Sequence, residues 1–136
     1  MRLKLLGGLA LELSDFTRPK PLLLLAYLSL GGPRSRREVA DLFWQGSKDP
    51  MQSLRMVLSQ LRDVPEAIHS DEKKVWTELP SDLAEFKLHL SQGNLKEALA
   101  LYKGPFVEGF DMSDAGAELE EWLFQTREWL AGQVRE

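Results

Sequence analysis

Ser35 to Arg62 reads SRREVADLFWQGSKDPMQSLRMVLSQLR, two capped helices separated by a short connection. Ser35-Arg36-Arg37-Glu38 has the form of a capping box, in which the serine hydroxyl accepts from the Glu38 backbone N–H and the Glu38 carboxylate reaches back. A helix starting there buries Val39, Leu42 and Phe43. Asp49-Pro50 signals a second start, with the carboxylate facing orphan N–H groups and proline in the first turn, where its missing N–H costs nothing. The connection runs from Gln45 to Lys48. In the second helix Met51, Leu54, Val57, Leu58 and Leu61 recur at about 100° per residue and make one inward stripe. The outer arc holds Gln52, Ser53, Arg55, Met56, Ser59, Gln60, Arg62 and Asp63. Apart from Met56 these side chains can hydrogen-bond to base edges or phosphates, whereas an ordinary surface helix more often shows Glu and Lys at four-residue spacing. The pair predicts a helix-turn-helix whose second member, 50–63, lies in a groove.

The rest of the chain is consistent with a small folded protein. It has 136 residues and 43% hydrophobic content, enough for a core. Its longest apolar run, Leu22 to Leu30, falls short of the ~20 residues of a bilayer span. With no cysteine and no signal peptide, a cytoplasmic protein without disulfides or zinc fingers is expected. The net charge of −4 hides two unlike halves. Residues 1–80 hold 12 Lys+Arg against 10 Asp+Glu, net +2, and residues 81–136 hold 5 against 11, net −6. That split suggests a module facing nucleic acid followed by an acidic one turned away from it.

Around the helix pair, Arg2–Gly7 and Leu9–Ser14 alternate apolar and polar about Gly7-Gly8, predicting a hairpin with Leu3, Leu5, Leu9, Leu11 and Leu13 on one side. The leucine run after Pro19 and Pro21, stopped by Gly31-Gly32-Pro33, predicts a buried helix, with a buried strand as the alternative. Ile68 to Leu79 predicts a second hairpin turning at Ser70–Lys73, where a wing would stand. Its Lys73 and Lys74 are either DNA contacts or parts of a plain exposed turn. From Asp82 the pattern is helical: Leu83, Phe86 and Leu90, then Leu95, Ala98, Leu99 and Tyr102 after Gly93-Asn94, then a last helix capped by Ser113 or Asp114 and running to about Val134. Glu118, Glu120 and Glu121 suit the positive end of that helix rather than a metal. Its stripe of Leu119, Trp122, Leu123, Thr126, Trp129, Leu130 and Val134, with Phe124 beside it, exceeds what two short helices can cover. Trp122, Phe124, Trp129 and Leu130 are therefore the expected surface for a second protomer or a partner.

Leu22–Leu30, Ser35–Trp44 and Ser53–Arg62 together resemble the DNA-binding half of the Streptomyces antibiotic regulatory protein type of transcription factor. Asp82–Phe86, Ala98–Phe110, Glu120-Glu-Trp122 and Arg127 are similar to the start of the bacterial transcriptional activator domain. The resemblance implies an α+β winged helix-turn-helix of OmpR type over 1–80, followed by an all-α, tetratricopeptide-like segment over 81–136 that is incomplete. It also implies dimeric binding to direct repeats in double-stranded DNA and recruitment of RNA polymerase. Carried onto this chain, the DNA-facing set is Arg37, Trp44, Lys48, Gln52, Ser53, Arg55, Met56, Ser59, Gln60, Arg62, Lys73 and Lys74. The Trp44 indole would donate to a phosphate, and Met56 would either meet a thymine methyl or shield its helix.

The expected function is thus sequence-specific DNA binding in transcription regulation, with a homodimer as the acting species and no cofactor. The alternative is a protein-interaction adaptor in which the same helices dock a partner. Catalysis is not expected: His69 and His89 lie in different modules, and no phosphate-cradling glycine loop is present.

Overall fold

The computed structural model describes residues 1–110 and 116–135, the last of these by its backbone alone. Both alternatives for a cap on the last helix, Ser113 and Asp114, lie outside the described residues. The described chain is α+β, with two small antiparallel sheets and six helices. No helix among the described residues is long and apolar enough to cross a membrane.

The leucine run forms α1 (Pro19–Gly31), with proline in its first turn and Leu22 to Ala26 and Leu28 all buried. A helix apolar on nearly every side must run through the middle of a core, and α1 packs on α3 (Pro50–Leu61) and on strand β5 (Lys74–Trp76). Gly32, at φ 72°, ends it and donates its N–H to the Leu28 carbonyl. α2 (Arg36–Phe43) begins as the sequence predicts, with the Ser35 hydroxyl accepting from Glu38 N–H; the Glu38 side chain itself stays exposed. Val39, Ala40 and Phe43 are buried, and Leu42 is only half-buried.

The first hairpin shrinks to β1 (Leu3–Lys4) and β2 (Ala10–Leu11), with Leu3 opposite Leu11. Leu13 does not join the inward set: its backbone turns to φ 64° just past the strand and the side chain is 91% exposed. The second hairpin, β4 (His69–Ser70) and β5, acquires a strand the sequence did not announce, β3 (Arg34–Ser35), in the order β3-β5-β4. Arg34 pairs with Val75, and Ser70 pairs with Val75 from the other side.

α4 (Asp82–Ser91) and α5 (Leu95–Leu101) form the expected helical hairpin, and Leu83, Phe86 and Ala98 are buried. Leu95 and Leu99 are exposed, against expectation. A seven-residue helix offers one narrow line of contact, and Ala98 with half-buried Leu101 and Tyr102 takes it. α6 (Ala117–Arg135) returns across the molecule to α2. One hydrophobic core runs from Leu3 through α1 to Leu119, Leu123 and Leu130 of α6.

Candidate nucleic-acid interface

The connection between α2 and α3 is built by local hydrogen bonds. Ser47 N–H donates to the Trp44 carbonyl, Asp49 N–H to the Ser47 hydroxyl, and Gln52 N–H to the Asp49 carboxylate at 3.0 Å. Gly46, at φ 82°, makes the turn. α3 then buries Leu54, Val57, Leu58 and Leu61 against the core and ends one residue before Arg62. Its outer side presents Gln52, Arg55, Met56 and Ser59 in the open, with Arg62 just beyond the helix also exposed and Ser53 and Gln60 half-buried. Met56 is 57% exposed, an apolar side chain standing among polar ones. Arg55 Nε donates to Gln52 Oε1 at 3.1 Å, which holds the two side chains together on one turn.

The tip of the β4–β5 hairpin is a compact turn. Asp71 Oδ1 accepts from both Lys73 N–H, at 2.8 Å, and Lys74 N–H, at 2.7 Å, and these two bonds hold its carboxyl below the usual aspartate range. Lys73 and Lys74 are exposed. Arg36 connects the turn to the start of α2: its backbone N–H donates to the Lys73 carbonyl and its Nη1 to the Asp71 carbonyl. Sequence reasoning passed over Arg36 because, read locally, it is only a member of the cap.

Of the remaining candidates, Lys48 is exposed in the connection, and Arg37 is exposed with its Nε 3.8 Å from Asp41 Oδ2, one turn on. A pair that open to solvent is weak and leaves the guanidinium available to a phosphate. Trp44 is half-buried, tilted against Phe43, with the Lys20 ammonium 5.5 Å from its ring centroid. The proposed partner surface on α6 divides. Leu130 is buried, and Trp122 is half-buried edge-on to Tyr27 and Phe106, whereas Phe124 and Trp129 remain open at 58% and 46%. His69 is half-buried and stacks on Trp76. Among the described residues no group of three His, Asp or Glu side chains could hold a metal ion. No protein-family model and no curated protein sequence matches the chain.

Proposed function

We propose that this chain is a sequence-specific DNA-binding transcription regulator, with α3 lying in the major groove and the β4–β5 hairpin serving as a wing, as in the winged-helix regulators its sequence resembles. The observation that carries the reading is the outer side of α3. Gln52, Arg55, Ser59 and Arg62 are exposed and able to hydrogen-bond, and Met56 stands among them where a thymine methyl could be met. Six cations, Arg37, Lys48, Arg55, Arg62, Lys73 and Lys74, would neutralise phosphates. The logarithm of affinity should therefore fall with the logarithm of salt concentration with a slope of at most about −5 for each bound protomer. Duplexes selected from a random pool provide the test. Arg55→Ala with Arg62→Ala should weaken the selected duplex by about 1–3 kcal/mol per base contact, or flatten the salt slope by about 1 per phosphate contact. Wild-type affinity and slope in the double variant would place the interface elsewhere.

Exposed Phe124 and Trp129 favour a second reading, an adaptor that dimerises or docks a partner through α6. Sedimentation with and without the selected duplex separates the two readings: the adaptor associates and ignores DNA.

A further inference from the structure

Between the end of α1, strand β3, α4 and α6 lies an open-mouthed pocket of about 340 Å³, at the lower end of the range that holds small molecules. Its walls are aromatic. Trp122 is fixed edge-on to Tyr27 at 5.1 Å, and Trp129 forms the exposed rim. Two cations reach into the same space from different elements, Arg34 from β3 and Lys87 from α4. Neither is matched by an acid, because no Asp or Glu among the described residues lines the pocket, although residues 81–136 carry net −6.

Each cation rests on a ring face instead, Arg34 at 5.5 Å from the Tyr27 centroid and Lys87 at 5.6 Å from that of Trp129. The Arg34 Nε–H is buried and meets no acceptor among the described residues. A buried donor without an acceptor is costly, and the guanidinium that carries it meets no acid on the pocket wall among the described residues. Gly31 belongs to the same construction, since a Cβ at that position would overlap the Arg34 guanidinium.

We propose that this pocket binds a small flat aromatic carboxylate, its ring against Tyr27, Trp122 and Trp129 and its carboxylate shared between Arg34 and Lys87. The aromatic walls select a planar apolar body, the volume restricts it to one or two rings, and the paired cations select the negative charge. This site is separate from the outer side of α3, and its occupancy can be measured whether or not the chain binds DNA.

The chain has four tryptophans, so the indole N–H resonances of a nitrogen-15-labelled sample report the pocket directly. Titration with indole-3-acetate should move the Trp122 and Trp129 resonances saturably while leaving Trp76 in place. Acetate alone and the neutral indole-3-acetamide should move neither at the same concentration. Arg34→Gln and Lys87→Gln should each weaken the acid about tenfold. Lys87 is exposed, so its variant tests the charge even if Arg34→Gln unfolds. Unmoved resonances at millimolar acid, equal affinity for the amide, equal shifts in all four tryptophans, or wild-type affinity in Lys87→Gln would each overturn the proposal.

Discussion

Replacing Asp82 should unfasten the first hairpin from α4. The side chain is buried, and its two oxygens have separate duties: Oδ1 accepts from Leu5 N–H at 2.8 Å and Oδ2 from Leu6 N–H at 3.1 Å. Leu5 and Leu6 are themselves fully buried, so no water stands ready to replace the carboxylate. Asp82→Ala orphans both donors at about 1–3 kcal/mol each, giving a loss of about 2–6 kcal/mol. Asp82→Asn is the more diagnostic change. The amide keeps one acceptor and turns an NH₂ toward the other N–H, so it should still lose about 2 kcal/mol. The neighbouring cap provides the scale: Ser81 Oγ accepts from Ala84 N–H alone among the described residues, and Ser81→Ala should lose about 1 kcal/mol. Urea unfolding followed by circular dichroism reads all three, with Asp82→Ala moving the midpoint by about 1–3 M. An asparagine variant within about 0.5 kcal/mol of the wild type would refute the two-oxygen account.

Gly7 and Gly8 should respond unequally to alanine. Gly7 sits at φ 91°, and an added Cβ would lie 3.1 Å from the Lys103 carbonyl carbon, so Gly7→Ala should lose about 1–3 kcal/mol in thermal unfolding; a Cβ added at Gly8 would meet no side chain or distant backbone of the described residues within 4 Å, and Gly8→Ala should be near neutral. The Asp71 turn should depend on pH in one direction. Because its carboxyl is held below the usual aspartate range, the two hydrogen bonds of the turn are at full strength above that range and weaken as pH falls through the lowered value, which the Lys73 and Lys74 amide shifts will show. An inflection at or above the ordinary aspartate value would contradict that assignment. Since one oxygen takes both amides, Asp71→Asn should keep the turn, remove a negative charge beside Lys73 and Lys74, and raise affinity for a selected duplex; unchanged or weaker binding would count against the wing.

What could be read from the sequence was local. Caps at Ser35 and Asp49 and the stripe Leu54, Val57, Leu58, Leu61 act within a few residues, so α2 and α3 stand where they were expected, and the outer side of α3 follows as the complement of its buried stripe. The second hairpin was legible for the same reason, its turn being held by Asp71. Strand β3 was not, because a two-residue strand has no alternation to detect and exists only through its pairing with β5. Leu13, Leu95 and Leu99 misled because apolar periodicity gives a direction without saying whether anything stands there to be packed against. The aromatic pocket draws Tyr27, Arg34, Lys87, Trp122 and Trp129 from four elements, a juxtaposition that arises only once α6 has crossed back over α1.

The same distinction explains why a two-residue hairpin can be part of a stable fold. Strands as short as β1 and β2 do not hold themselves together in water. The donors of β1 and the residues after it are instead satisfied from distant sequence: Leu3 N–H by the Pro80 carbonyl, Leu5 and Leu6 N–H by Asp82, and Gly7 N–H by the Pro105 carbonyl. Val107 N–H returns a bond to the Leu5 carbonyl, and the Arg127 guanidinium, donating to the Phe106 and Val107 carbonyls, ties that loop to α6. Arg2 adds a surface fastening, bridging Glu12 of its own hairpin to Glu85 of α4, which raises its own pKa and lowers that of Glu12. The bonds of Leu5, Leu6, Gly7 and Val107 and the Arg2–Glu85 pair join residues on opposite sides of Pro80, where the charge changes sign. The acidic helices therefore complete the backbone bonding of the first strand and share one core with α1 and α2, the helices on which α3 packs, so that packed side chains rather than a linker join the two halves of the described chain.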